Sequence, residues 1–272
     1  MFAKKFKSAL PLAAAEGLSI AELNNITDRP LDFVIAEGQQ AHTIGLVKFD
    51  DDQSYVKEFN GLQLINVGQS VKKVNKKKVK RLVAAKIKQM EEAHAVDNPG
   101  VEFFLDKESK KAIEADVIFS LLPETEADDF YNYVVLDTEM DILYVINGSK
   151  KVSEDISAFL RDVLGSFAVM GFGVHEDLIV KGFGEILETH EFERLTLGNY
   201  IKLEDDEGMV VWSKESLYDS KALELKEDGK SVQAIGLEYD GVVNFIVDKD
   251  FRLSGIKFPK YFNDCLLYTS PS

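Results

Sequence analysis

The sequence predicts an α+β protein with mixed, mainly antiparallel sheets and several helices. Three observations carry that expectation. Runs rich in β-branched and aromatic residues dominate both ends of the chain, over 2–67 and 192–258, and turn signals separate them. Between them the apolar period changes from two to about 3.6. Strands and helices also fail to alternate strictly, which argues against a parallel doubly wound sheet.

Taken in order, 2–10, 33–36, 43–49 and 55–67 read as strands, with Asp50, Asp51 and Asp52 as a hairpin turn. Pro11 interrupts a short apolar run over 9–15. Ser19, with Glu22 three residues on, has the pattern of a capping box before a short helix. After Gln69 a long basic helix is expected to run to about Ala95, where the sequence Asp97-Asn98-Pro99-Gly100 breaks it. A second helix follows over 106–122, with Asp106 as N-cap, Ile113, Val117 and Leu121 at four-residue spacing, and Pro123 as the stop.

Two strands over 130–136 and 142–146 then form a hairpin. Ser149 caps a helix whose Val152, Ile156, Phe159, Leu160 and Val163 make an apolar stripe, and Gly165 ends it. A strand over 167–170 follows, and the glycine-interrupted stretch to Glu188 fits either a weak helix or a loop. Strands are expected over 192–203, 209–212, 231–239, 242–247 and 253–258, with a short helix near 219–227 and a hairpin turn at Asp240-Gly241. These readings divide the chain into a strand-rich body, 1–70 with 167–263, and a helical and hairpin region, 71–166.

Charge gives the first functional signal. The chain of 272 residues has a net charge of −15, yet the eighteen residues VKKVNKKKVKRLVAAKIK over 71–88 contain nine cations and no anion. Taking those nine from the 32 basic residues leaves 23 against 47 acidic ones, a net of −24 over the rest. Read at 100° per residue, Val79, Leu82, Val83, Ile87 and Met90 share one face, while Lys77, Arg81 and Lys88 lie opposite. A basic outer face is the footprint expected for a polyanion, nucleic acid above all. From charge alone the competing reading is a solvated lysine-rich surface. The acidic remainder confines any nucleic-acid contact to a local patch.

Catalytic patterns yield near misses. Gly171-Phe172-Gly173 lacks the third glycine of a dinucleotide fingerprint, and Gly148-Ser149-Lys150 lacks the glycine of a phosphate loop. His175-Glu176 opens like a zinc-protease helix, but Ile179 stands where the second histidine belongs. His42, His94, His175 and His190 are scattered, and the acidic clusters at 50–52, 128–129 and 204–207 fall at turns or strand ends, where solvated carboxylates are the default. Trp212, Phe103-Phe104 and Phe130-Tyr131 read as core or interface aromatics. The single Cys265 excludes an internal disulfide framework and fits a reducing compartment. With no membrane span in view, the expectation is a cytoplasmic protein that needs neither metal nor cofactor and is not an enzyme.

An ordered series of segments resembles the bacterial RdgC recombination-associated protein family. It comprises Ala85-Lys86-Ile87-Lys88, Ser120-Leu121-Leu122-Pro123, Leu136-Asp137-Thr138, Ser149-Lys150-Lys151 through Leu160-Arg161 to Leu164-Gly165-Ser166, then Gly208, Gly229-Lys230 and Ile256-Lys257-Phe258. The similarity is strongest over 84–166. The resemblance implies a non-enzymatic, nucleoid-associated protein whose elongated or horseshoe-shaped protomers pair as a ring-like homodimer. The ring would encircle double-stranded DNA without sequence preference and limit access of the RecA recombinase.

Under that implication Lys72, Lys73, Lys76, Lys77, Lys80, Arg81 and Lys88 contact phosphates, and Phe130, Tyr131, Trp212, Lys214 and Glu215 lie at dimer contacts. The chain departs from the family in three places. Where the family has arginine and phenylalanine after the Leu-Leu-Pro stop, this chain reads Glu124-Thr125-Glu126-Ala127-Asp128-Asp129. The lysine–glutamine of the second contact aligns with Lys214-Glu215, and the last residues, 264–272, read as an extraneous tail. A structural or protein-interaction module, its basic helix docked on an acidic partner or on its own anionic body, is the alternative. A metal-dependent nuclease using the acidic clusters is a third.

Overall fold

The computed structural model describes residues 6–49, 53–213, 217 and 221–259. The expected α+β class holds: the described residues form thirteen strands, paired mainly antiparallel, and five α-helices. They fall into two compact units. One takes the described parts of 1–27, 48–66 and 132–272, and the other takes 28–47 and 67–131. The units group the chain differently from its periodicity: 28–47 goes with 67–131, while 132–166 goes with the strand body, where residues 142–146 pair with 9–13.

In the first unit, β1 (Ser8–Ala14) pairs antiparallel with β6 (Ile142–Ile146) on one side. On the other side it meets β13 (Leu253–Lys257) at Ser8 and Ala9 and β7 (Val169–Met170) at Ala13 and Ala14. β6 pairs with β5 (Ala127–Asp137) over Val134 to Asp137. From β13 the sheet continues through β12 (Val243–Asp248), β11 (Ser231–Tyr239) and β9 (Leu195–Glu204) to β10 (Met209–Ser213). The short β8 (Glu191–Phe192) adds to β9. Asp240 and Gly241 link β11 to β12 with φ of 49° and 66°, the left-handed pair that a two-residue hairpin requires.

Several local readings are corrected or settled. The first strand continues through Pro11. The Ala14 N–H donates to the Asp141 carbonyl and the Asn147 N–H to the Ser8 carbonyl. In the β1–β6 register these ladder bonds fall on residues 8, 10, 12 and 14. The missing N–H of Pro11 is therefore turned away from β6, into the stretch where neither β13 nor β7 pairs.

The span 55–67 is two strands. β3 (Val56–Phe59) and β4 (Leu62–Lys72) are joined by Asn60-Gly61, with φ of 47° and 76°. The glycine-interrupted stretch resolves as a helix, α4 (Glu176–Thr189). Its Ile179, Phe183 and Leu187 pack on Leu197, Ile201, Leu203, Val232, Ile235 and Leu237 of the sheet. Burying such side chains contributes roughly 1.5–3 kcal/mol each, enough to settle a weak helix. The expected helix near 219–227 is α5 (Ala222–Glu227), and the 3-10 turn Ala21–Asn25 replaces the predicted capping box, with Ser19 Oγ accepting from the Ala21 N–H.

α3 (Lys150–Leu164) matches its reading. Ser149 Oγ accepts from the Val152 N–H, Gly165 closes the helix at φ 75°, and Ile156, Leu160 and Val163 are buried.

The second unit contains β2 (His42–Val47), the later part of β4, the start of β5, and the helices α1 (Lys76–Asp97) and α2 (Lys107–Leu121). The segment 33–36 is not a strand. The Phe33 N–H donates to the Leu46 carbonyl, and the Ala36 N–H donates to Ser70 Oγ. A Cβ at Gly45 would stand 2.6 Å from the Phe33 backbone, and one at Gly68 would stand 2.5 Å from its ring. Glycine at both positions is what lets this segment lie against β2 and β4.

Candidate nucleic-acid interface

α1 begins later than periodicity predicts. Val71 and Lys72 end β4, and Asn75 is the N-cap, its Oδ1 accepting from the Lys77 and Lys78 N–H groups at 2.9 and 3.2 Å. Its apolar face is held by a small cluster: Val79 packs with Val117 and Leu121 of α2, and Val74, Leu82, Val83 and Ile118 add partial cover. Met90, expected on that face, is exposed. A 22-residue helix thus fully buries a single side chain, Val79, half-buries Leu82, Val83, Lys86, Ile87 and His94, and presents the rest to solvent.

Three lysines, Lys76, Lys77 and Lys78, occupy the first turn, which contains no acid. The unsatisfied N–H groups there carry the positive end of the helix dipole, so cations at this end are disfavoured by about 0.3–1 kcal/mol each when exposed. Local helix energetics are therefore set against this arrangement, and an external polyanion would relieve the conflict.

The structure sorts the cations into three groups. Lys72 is only 9% exposed, and its Nζ donates to the Gly38 and Leu122 carbonyls at 2.8 and 3.0 Å. It is a structural lysine joining three segments of its unit, and it leaves the set of phosphate contacts. A second group is answered by acids on the same unit: Lys73 by Asp128 at 3.1 Å, Lys78 by Glu124 at 3.3 Å, Lys86 by Asp116 at 3.2 Å, and Lys88 by Glu92 at 3.7 Å. These pairs are exposed and worth about 0–1 kcal/mol each, so a competing polyanion displaces them at little cost. The third group, Lys76, Lys77, Lys80 and Arg81, is exposed and has no ion-pair partner among the described residues. At 100° per residue these four span an arc of 140°, with Lys77 and Arg81 opposite the apolar face and Lys76 at its edge.

In the acidic segment after Pro123, where the chain departs from the family, Glu124 and Asp128 are engaged by lysines of their own chain. Sequence reading missed this match. The available signal was the opposite sign of two nearby segments, but spacing alone does not say which lysine meets which acid. Of the aromatics assigned to dimer contacts, Phe130 is half-buried, and Tyr131 is exposed and meets the Phe33 ring edge-on at 5.6 Å. Trp212 packs against the core beneath β9 and β11. Lys214 and Glu215 lie outside the described residues, as do Asp50, Asp51, Asp52 and the tail over 264–272.

Among the described residues no group of three or more His, Cys, Asp or Glu side chains is placed to hold a metal ion, and no helix is long and apolar enough to cross a membrane. His94 meets the Phe103 ring at a tilt with centroids 5.4 Å apart, His175 lies 3.6 Å from Asp177, and His190 caps α4 in the left-handed conformation.

Comparison with known proteins places these observations in a family context. A family model described as "Putative exonuclease, RdgC" matches residues 13–266. The chain is 26% identical over 156 residues to a protein of Actinobacillus succinogenes named "Recombination-associated protein RdgC", a match covering 57% of this chain and 52% of that protein. A protein of Mannheimia succiniciproducens with the same name is 28% identical over 163 residues, with the same two coverages. These matches span about half the length of both relatives. The similarly named protein of Haemophilus influenzae strain Rd is 26% identical over 251 residues, covering 85% of this chain and 80% of that protein.

Proposed function

Because the chain belongs to the RdgC family, whose curated relatives are named recombination-associated, we propose that it binds double-stranded DNA without sequence preference and acts in recombination. Lys76, Lys77, Lys80 and Arg81 form the primary phosphate contacts, and Lys73 and Lys88 join them as their exposed ion pairs open. The observation that carries this reading is the set of four exposed cations on α1 that have no ion-pair partner among the described residues, concentrated at the end of the helix where its own dipole opposes them. Lysines on a regular helix face meet phosphates as point charges, with no fixed fork to read base edges.

In the same proposal the protein is a cytoplasmic, nucleoid-associated homodimer that closes around the duplex and limits access of the RecA recombinase. It hydrolyses nothing and requires neither metal nor cofactor. Phe130, Tyr131 and the region from Trp212 to Lys214 and Glu215 are the proposed contacts between protomers. Trp212 supports its contact from within the core and Lys214 supplies the charge.

The test is binding to linear and covalently closed circular duplex of equal length under a salt titration. Encirclement predicts that protein loaded on closed circles resists a high-salt wash and slides off linear DNA, with log K falling linearly in log salt during loading. Equal loss from both forms would overturn encirclement, and salt-independent binding would overturn the phosphate grip. The family description supplies a second reading, exonucleolytic hydrolysis. Release of nucleotides from linear duplex in the presence of Mg²⁺ would favour it, and intact DNA at stoichiometric protein favours the binding role.

A further inference from the structure

The interrupted pairing of β1 opens a cleft in the first unit. Neither β13 nor β7 reaches Leu10, Pro11 and Leu12, and beside them lies a cavity of about 510 Å³, within the range of small-ligand sites, about 300–1,000 Å³. Those three residues, with Val169 and Ile179, give it an apolar base. One wall is a face of α3, where Ser153, Ser157 and Arg161 follow at four-residue spacing. The opposite wall is the turn between β12 and β13. There Phe251 is held at φ 58°, a strained conformation for a bulky residue, and its ring meets Phe172 edge-on at 5.5 Å.

The cleft has four cations and four carboxylates around it, and their partners differ. Lys249 is paired with Glu176, and the Asp248 carboxylate accepts from the Asp250 and Arg252 N–H groups at 3.0 and 3.1 Å, closing the turn. Lys150, Arg161 and Arg252 have no ion-pair partner among the described residues, and neither have Glu154 and Asp250. Arg161 reaches only the Phe167 carbonyl, at 3.5 Å, and Arg252 Nε is buried with no acceptor. Arg161 and Arg252 both line the cleft with no carboxylate paired to them among the described residues, and a carboxylate is the group whose geometry matches a guanidinium in a two-pronged contact.

We infer that this cleft binds a monocarboxylate borne on an apolar or aromatic body, the carboxylate toward Arg252 and Arg161 and the body over Leu10 to Leu12 beside Phe172 and Phe251. Both a free aryl acid and the C-terminal residue of a peptide have this chemistry. The site lies in the unit that does not contain α1, so it stands or falls independently of DNA binding.

Calorimetric titration of the full chain with acetyl-leucyl-phenylalanine, its C-terminal amide and 3-phenylpropionate tests the inference. At least one acid should saturate at millimolar concentration or below, with the amide at least about tenfold weaker than the free dipeptide. Tighter binding of the dipeptide assigns a peptide terminus, and tighter binding of phenylpropionate assigns a free acid. Arg161→Ala should weaken the acids about tenfold, and so should Phe251→Gly, which removes the ring while suiting the left-handed backbone. Arg161→Ala should keep the wild-type melting temperature, and Phe251→Gly, which also gives up packing on the core, should remain folded with a lower one. No heat from either acid at about 10 mM, an amide that binds as well as its acid, or unchanged affinity in both variants would overturn the assignment.

Discussion

Helices α1 and α3 are both capped by a polar side chain, Asn75 and Ser149, and both follow a strand. Beyond that they differ. α3 buries five of its 15 residues, whereas α1 buries one of 22. α3 belongs to the packing of its unit. α1 is attached by a narrow seam and displays charge, so the longer helix contributes less to the core. Length and capping report that a helix forms, and burial reports what it is for.

The largest effect that would break this comparison lies on the charge side. Replacing Lys76, Lys77, Lys80 and Arg81 together by Ala should reduce the magnitude of the log K against log salt slope by roughly 3.6, about 0.9 per lost phosphate contact, with unrelated duplex sequences affected alike. Thermal stability should hold or rise, because the first-turn cations oppose the helix dipole. Conversely, Glu124→Gln with Asp128→Asn frees Lys78 and Lys73 and should steepen the slope by up to about 0.9 for each released lysine. An unchanged slope in both variants would remove α1 from the interface.

Next in size is packing. Leu160→Ala in α3 removes a fully buried side chain and should destabilise the protein by about 2–5 kcal/mol in urea unfolding. Val79→Ala in α1 should cost about 1.5 kcal/mol, at about 0.8 kcal/mol per methylene lost, and should leave the unfolding of the first unit unchanged. Equal costs would show that α1 is as deeply integrated as α3.

The smallest effect separates charges that hold structure from charges that face solvent. Lys230 lies 2.6 Å from Asp205, with side chains 15% and 25% exposed, whereas those of Lys73 and Asp128 are 72% and 67% exposed. The Lys230 ammonium, helped by the Gly208 and Glu207 N–H groups, holds the Asp205 carboxyl below its usual range against the opposing effect of burial. A depressed carboxylate contributes stability above its unfolded pKa and loses it as pH falls through the folded one. Asp205→Asn should therefore lower the melting temperature at neutral pH, with the gap from wild type closing as pH falls through the lower carboxylate range. A gap independent of pH would mean that Asp205 acts as a hydrogen-bonded turn residue and not through its charge.

Much of this was legible in local pattern. Ser149, Asp106 and Gly165 take the cap roles that their chemistry predicts, and Asp240-Gly241 makes the expected hairpin. Asn60-Gly61 carries the same signal, but inside a long apolar run composition alone does not divide the run into two strands. Pro11 was read as a break because composition does not show which side of a strand its missing N–H faces. α4 stayed ambiguous because Gly182 and Gly184 lower its helix propensity, and packing against β11 restores it.

By itself the sequence determined the α+β class, most of the strands and caps, the basic segment on an acidic chain and the family resemblance, since each rests on neighbours a few residues apart or on summed charge. Only the tertiary structure decided which cations are available. Lys72 is consumed by a carbonyl 50 residues away and Lys78 by a carboxylate 46 residues away, while Lys76, Lys77, Lys80 and Arg81 are left exposed and unpaired among the described residues. Burial and ion pairing depend on groups brought together across such separations, and no local period records which group will arrive.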